Sequence, residues 1–369
     1  MLKKSRFYSK LALLPLIWWN RCRFWVKRDY PKYPKKILIA HHLLLGDQLM
    51  LTALIAKIRS IYPFAKIYLF TSEAAAPLYE KRPYDVIPIV VDPKNPLSLL
   101  KTLKYKGFDL ALIPGDNRVG KTAFALGANH IRALEKDAPE YKNRYIDELV
   151  RWPTNPTALP EIFSSLIPGN LPDSFSSKDW SAPAFKPFEL PDSPYAVLHV
   201  GCSTPLKQWE ADKWHQIAHY LVSKGINPIW SGGPNEQAIV DRIDPMQLYT
   251  SFAEKLDLCQ LWHLIQNAKM VICPDTSISH LSRIIGTKVI TLFGPASAFI
   301  SGPGQFWKNS QSLEITINNF FCRNQATLFR REIPWVLRCN RTVEECPEPL
   351  CMQAIHPQSV KDSIDKFIK

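Results

Sequence analysis

KMVICPDTSISHLSRIIGTKVITLF, residues 269–293, is the stretch that decides the fold. Residues 269–273 read as a buried strand, 278–285 carry the apolar spacing of a helix, and 289–293 read as a second strand. A strand, a helix and a strand in so short a space form a crossover unit, and its two strands run parallel. Open parallel sheets take ligands beyond the carboxyl ends of their strands. The loop Pro274-Asp275-Thr276-Ser277 and the helix start that follows it are therefore the first place to look for chemistry.

The same rhythm extends in both directions. Upstream, residues 195–200 and 227–230 read as strands, and 211–224 and 256–267 as helices. Near the amino end, 36–40 reads as a buried strand, 48–61 as a helix, and 65–71, 86–91 and 110–113 as further strands. Residues 151–194 break the pattern with nine prolines, each of which removes a backbone donor and restricts its predecessor. This region reads as irregular, with one short helix near 161–167. Residues 358–369 read as an amphipathic helix. The expected organisation is a basic arm (1–34), an α/β domain (35–150), a proline-rich linker (151–194), a second α/β domain (195–355) and a terminal helix (356–369).

Candidate site residues follow from what sits after each strand. Free N–H groups at the helix start near Thr276 and Ser277, with the helix dipole, suit an anionic phosphate. Asp275 suits a sugar hydroxyl or a backbone amide, and His280 lies one turn into the helix; helix capping alone explains the same Asp and Thr. After residue 200 come Ser203, Thr204 and Lys207, small hydroxyls and a counter-charge suited to a diphosphate, or simply a solvated loop. Gly232-Gly233 permits close backbone approach, and Glu236 beyond it can accept from ribose hydroxyls. In the first half, Asp47 stands between strand and helix as a candidate general base, with His41 and His42 as alternatives and an N-cap as the plain reading. Residues 115–122 match G-x-x-x-x-G-K-[ST] in letters, but proline precedes the first glycine and no metal-binding partner strand follows, so the match reads as chance.

Composition narrows the rest. The net charge is +13, yet residues 1–36 hold eleven Lys or Arg against one Asp, which leaves the body near neutral. That distribution argues against nucleic acid and for a surface the arm touches. The apolar run 11–19 is too short to span a bilayer, and basic residues flank it, as in a segment lying on an anionic membrane. Docking of that run on the body is the alternative. Eight scattered cysteines do not form a secreted disulfide pattern, so a reducing, cytoplasmic setting is expected. Cys322, Cys339, Cys346 and Cys351 lack the paired spacing of a zinc site and read as redox-active or buried thiols.

Taken together, these pieces resemble glycosyltransferase family 9, the lipopolysaccharide heptosyltransferases. The matching residues are 36–39 with Leu45-Gly46-Asp47, then His199-Val200-Gly201 with Lys207-Gln208-Trp209, then Gly232-Gly233-Pro234-Asn235-Glu236, then 275–281 with Gly286-Thr287 and 292–295, and finally 351–355 with the cysteines before it. The resemblance runs from about residue 36 to 369. It implies a GT-B fold, two Rossmann-like α/β domains facing across a cleft. It implies inverting transfer of a heptose from ADP-heptose to a lipid-linked lipopolysaccharide core acceptor, with no metal and no cofactor. By position Asp47 looks like the catalytic base and Lys207 like the diphosphate lysine. Ser203 and Thr204 look like phosphate contacts, Glu236 like the nucleoside contact, and Asp275, Thr276, Ser277 and His280 like the donor loop. A cytoplasmic enzyme held by residues 1–34 on the inner face of the bacterial inner membrane is the setting implied. Transfer of another nucleotide sugar on the same fold, or a catalytically inactive membrane-bound assembly protein, are the competing expectations.

Overall fold

The computed structural model describes residues 13–19 and 28–368. Much of the basic arm, Cys22 included, lies outside the described residues, and with it part of the expected membrane contact of 1–34. Within the arm, Leu14–Trp19 is a short helix. Leu13 is buried in the core of the first unit, with Leu16 and Ile17 packed against it, while Trp18 is 70% exposed. No described helix is long and apolar enough to cross a membrane.

The chain folds as two compact units. The first comprises the residues up to Asn155, Pro160–Asp173 and Leu328–Ile333; the second comprises Pro156–Leu159, Ser174–Thr327 and the residues from Pro334 on. The proline-rich stretch is thus shared between them. Its short helix is Leu159–Ser164, earlier than the spacing predicts.

The first unit is built on a six-stranded sheet, β1 (Lys36–Ile39), β2 (Lys66–Thr71), β3 (Ile87–Val90), β4 (Leu110–Ile113), β5 (His130–Leu134) and β6 (Glu148–Val150), in the order β3-β2-β1-β4-β5-β6. Every neighbouring pair is parallel. The order is that of a dinucleotide-type doubly wound sheet, whose strand sequence reverses between the first and fourth strands. Strands covered on both faces are largely apolar, and β4 is apolar and buried at every position. The single helix expected over 48–61 is two, Leu45–Met50 and Thr52–Ile61. At the break Leu51 turns tightly, its N–H bonded to the Gln48 carbonyl at 3.1 Å, and the Thr52 hydroxyl donates back to the Leu49 carbonyl at 2.6 Å.

The second unit carries β7 (Tyr195–His199), β8 (Asn227–Ser231), β9 (Met270–Pro274), β10 (Val289–Phe293) and β11 (Ser312–Thr316), all parallel, in the order β11-β10-β9-β7-β8. Its reversal falls between β7 and β9. The Ser277–Ile285 helix follows β9 and ends on Gly286 in the left-handed conformation, φ 89°. The terminal helix, Pro357–Ile368, packs on the Ala211–Ser223 helix, where the Tyr220 hydroxyl donates to Asp365 at 2.8 Å.

A two-residue hairpin, β12 (Thr327–Leu328) and β13 (Arg331–Glu332), supplies the late segment of the first unit. Its turn residues, Phe329 and Arg330, have φ values of 49° and 63°. Such turns favour Asn-Gly, and a bulky side chain held there costs on the order of 1–3 kcal/mol per residue. Arg331 offsets that strain. Its fully buried guanidinium donates to the carbonyls of Gly115 (2.8 Å) and Glu135 (2.8 Å) and to the Asn117 side chain (2.9 Å).

Candidate functional site

In the first unit the reversal point lies between β1 and β4. A cavity of about 590 Å³ opens beside the chain that leaves those two strands. His42, Leu43 and Leu44 line it from the β1 side, Asp116 and Arg118 from the β4 side. Asp47 also lines the cavity; it stands in the first turn of the Leu45–Met50 helix rather than at its cap, which is Leu44. Gln48, one residue on, is buried and donates to the Thr71 hydroxyl at 2.8 Å, which anchors that helix to β2. A half-exposed carboxylate on a pinned helix can meet an incoming hydroxyl and take its proton.

His41 is unsuited to that task. Its Nδ1 accepts the Leu43 N–H at 3.1 Å, and burial, with His42 nearby, pushes its imidazole down to about 3. His42 is exposed and remains on the cavity wall.

The letters of residues 115–122 do not build a phosphate cradle. Asn117 begins a 3-10 turn and Gly120 a short helix, and the loop amides are already taken. The Asn117 N–H bonds the Asp137 carboxylate at 2.7 Å and the Arg118 N–H bonds Asp116 at 3.0 Å.

In the second unit, the loops after β7 and β9 meet at the reversal point. Lys207, from the 3-10 turn Pro205–Lys207, donates to the Asp275 carboxylate at 2.7 Å and to the Asp275 carbonyl at 2.8 Å. Burial alone would raise the Asp275 carboxyl; the Lys207 ammonium, with the Arg283 guanidinium nearby, holds it below the usual carboxylate range. Lys207 is thus an aimed cation whose charge is partly offset in place. Thr204 starts that turn, its hydroxyl accepting the Leu206 N–H at 3.4 Å, and Ser203 is exposed beside it. Thr276 is the N-cap of the Ser277–Ile285 helix, its hydroxyl accepting the Ile278 N–H at 3.3 Å. Ser277 opens the helix and is half-buried.

Glu236 joins the β7 and β8 loops. Its carboxylate accepts the Cys202 N–H at 3.0 Å and the Gly233 N–H. A Cβ on Gly201 would overlap this carboxylate and force it to move. His280 faces inward. Its Nδ1 accepts from the buried Arg283 guanidinium at 3.0 Å, and burial, with Arg283 beside it, pushes the imidazole down to about 3. His280 therefore props Arg283, which also bonds the Ser301 carbonyl at 3.1 Å.

The four late cysteines, Cys322, Cys339, Cys346 and Cys351, line one cavity of about 270 Å³ in the second unit. All cysteines among the described residues are free thiols, and no described cluster of His, Cys, Asp and Glu is arranged to hold a metal ion. Burial pushes the Cys351 thiol up to about 11, which disfavours the thiolate that metals and disulfide exchange require.

A family model described as glycosyltransferase family 9 (heptosyltransferase) matches residues 167–323. That match spans β7 to β11, with the Lys207–Asp275 pair and Glu236 inside it. The chain is thus similar to family 9 glycosyltransferases across the sheet of its second unit. Lipopolysaccharide heptosyltransferase 3 of Escherichia coli K12 is 25% identical over 304 residues, which cover 71% of this chain and 85% of that protein. The lipopolysaccharide core heptosyltransferase OpsX of Haemophilus influenzae is 26% identical, over 72% of this chain and 80% of its own length. Two solved structures share the fold: a family 9 glycosyl transferase from Veillonella parvula (TM-score 0.67, 16% identity, 93% of this chain and 99% of that one) and the E. coli ADP-heptose heptosyltransferase II (TM-score 0.68, 16% identity, 90% and 98%). The fold of the chain is therefore GT-B, two α/β units each with its own parallel sheet.

Outside the letter match at 115–122, the sequence does not single out the charged groups of the first-unit cavity. Arg118, Lys121, Lys142, Arg144 and Arg330 line it together with Asp116 and Asp137. They come from three segments, near 116–121, 137–144 and 330, the last more than 180 residues from the rest.

Proposed function

We propose that this glycosyltransferase moves a heptose from ADP-heptose onto a sugar hydroxyl of a lipopolysaccharide core acceptor, with inversion and without a metal. The observation that carries the reading is a lysine held by an aspartate beside a capped helix start, at the reversal point of the second sheet. A cation and the positive end of a helix dipole together suit a departing diphosphate. Support also comes from the relatives, which are lipopolysaccharide heptosyltransferases by name.

In this mechanism Asp47 takes the proton of the acceptor hydroxyl as its oxygen attacks the anomeric carbon. The bond from that carbon to the diphosphate oxygen breaks on the opposite face, and the electron pair leaves with ADP. Lys207, oriented by Asp275, and the helix start at Thr276 and Ser277 stabilise the leaving charge. Ser203 and Thr204 would contact the phosphates. Glu236 holds the β7 and β8 loops in register for the nucleoside.

Asp47→Asn removes the base and preserves the shape. Initial-rate assays with ADP-heptose and core acceptor should show kcat down by about 100-fold or more, with ADP affinity within about twofold of the parent. Full turnover in Asp47→Asn would rule Asp47 out as the base.

A further inference from the structure

The Pro96–Lys101 helix and the Thr102–Tyr105 3-10 turn that continues it are apolar on two sides. Inward, Leu99 is buried in the core of the first unit, with Leu103 and Tyr105 packed against that core. Outward, Leu97 is 53% exposed and Leu100 39%. Around these leucines in the chain stand Lys94, Lys101, Lys104 and Lys106, all exposed, and no acid occurs between Pro93 and Phe108. None of the four lysines forms an ion pair among the described residues. The flanking acids are engaged by backbone: Asp92 accepts the Lys94 N–H at 2.9 Å, and Asp109 accepts the Lys35 and Lys36 N–H groups at 2.7 and 2.9 Å.

Single exposed leucines are ordinary, and a solvated helix face would simply be polar at 97 and 100. Here the leucines have company. Leu99 lines the Asp47 cavity, and so does Leu13. Leu13 leads into the arm helix Leu14–Trp19, which shows Leu14 and Trp18 to solvent. The two helices that wall one cavity therefore both turn apolar side chains outward. The arm to which the second belongs adds its own charge, eleven Lys or Arg against one Asp over residues 1–36. Leucine and tryptophan set among lysines, whose stems are apolar and whose heads are charged, suit the headgroup layer of an anionic bilayer. An acidic protein would answer the lysines but would sit against the wall of a cavity that a substrate must reach.

We infer that the body of the first unit docks on an anionic lipid bilayer through the leucine and lysine face of residues 94–106, with Leu14 and Trp18 of the arm helix beside it. Docking there brings the wall of the Asp47 cavity to the membrane surface, where a lipid-linked acceptor is confined. That consequence rests on reading the Asp47 cavity as the acceptor site; the docking itself does not.

The test is co-sedimentation of the full-length protein with vesicles of phosphatidylcholine alone and of phosphatidylcholine mixed with phosphatidylglycerol. The variants are Leu97→Gln with Leu100→Gln, Lys101→Gln with Lys104→Gln, and the charge-keeping Lys101→Arg with Lys104→Arg. All four positions are exposed, and thermal melts like the parent's show that each variant folds. The parent should bind mixed vesicles about 10-fold or more tightly than neutral ones, and high salt should release it. Both glutamine variants should bind mixed vesicles about 10-fold or more weakly than the parent, while the arginine variant should match it. Equal binding to the two kinds of vesicle would overturn the inference. So would parent-like binding by either glutamine variant, which would leave membrane contact to the arm alone. Failure of the parent to bind mixed vesicles would also overturn it and leave the face to an acidic protein. Transfer to a deacylated, soluble core acceptor should be unchanged in every variant, and transfer to the acceptor embedded in mixed vesicles should slow in the two glutamine variants. A protein that binds vesicles in this way yet transfers no heptose would refute the proposed reaction and leave the docking surface standing.

Discussion

His41, His199 and His280 are each at most 5% exposed, and burial pushes their imidazoles down to about 3, 4 and 3. Each ring is held as a neutral partner: His41 to the Leu43 N–H, His199 to the Ser231 hydroxyl at 3.1 Å, His280 to Arg283. A group whose folded value is depressed takes up its proton only in the unfolded chain as pH falls below the unfolded value. The stability it contributes is full above pH about 6.5 and is lost towards the folded value. At pH 5 each of these histidines costs about 2 kcal/mol on this scale, or several degrees of Tm for a unit of this size. Thermal melts between pH 7.5 and 5 should show a steep loss, and His199→Gln should flatten part of the slope. A Tm independent of pH over that range would contradict the buried, neutral assignment. The same burial leaves His280 a support for the helix after β9 through Arg283, a role that its position one turn into that helix does not distinguish from ligand contact.

At the scale of elements, what counts is how closely loops approach. Gly201 follows β7, and its missing side chain is the space that the Glu236 carboxylate fills while bonding Cys202 and Gly233. Gly201→Ala should push Glu236 away, leave two loop amides short of an acceptor, and weaken ADP binding about tenfold or more. Gly225, at φ 72° with nothing near its would-be Cβ, is the control: Gly225→Ala should lower Tm and leave ADP affinity alone. Unchanged ADP affinity in Gly201→Ala would remove Glu236 from the nucleotide site. Much of this layer was legible in the sequence. The apolar runs of β1, β4, β7, β9 and β10 stand out because strands covered on both faces are largely apolar. β5 was missed because His130 and Arg132 interrupt its run, the former bonded to Glu148 at 3.3 Å and the latter at 2.8 Å. β11 was missed because its residues are only half-buried and include Glu314. The hairpin at 327–332 carries Phe-Arg where a turn signal would be Asn-Gly, so only its contacts identify it.

At the scale of the whole molecule, neither unit is one continuous stretch of chain. The first takes its last segment, Leu328–Ile333, from beyond the second unit's sheet. Without Arg331 the carbonyls of Gly115 and Glu135 would lose their buried donor. Periodicity located both sheets and the irregular stretch between them, but no local pattern links residue 331 to residues 115 and 135. The Lys207–Asp275 pair is likewise non-local, 68 residues apart, although both members were picked out by their places after strands. Charge tells a similar story: the basic excess of the arm is plain in the sequence, while the charged cavity wall appears only when separate segments are folded together. Both sheets present their candidate groups at a reversal of strand order, Asp47 in one and Lys207 with Asp275 in the other. The account built on them is that the first unit activates an acceptor hydroxyl and the second releases ADP.

The most direct test is to incubate the full-length protein with ADP-heptose and a lipopolysaccharide core acceptor in excess EDTA and follow both products. The account predicts one heptosyl residue added per acceptor, one ADP released per transfer, and an inverted anomeric configuration by NMR. Intact ADP-heptose, ADP release without a glycosylated product, a retained configuration or a strict metal requirement would contradict it.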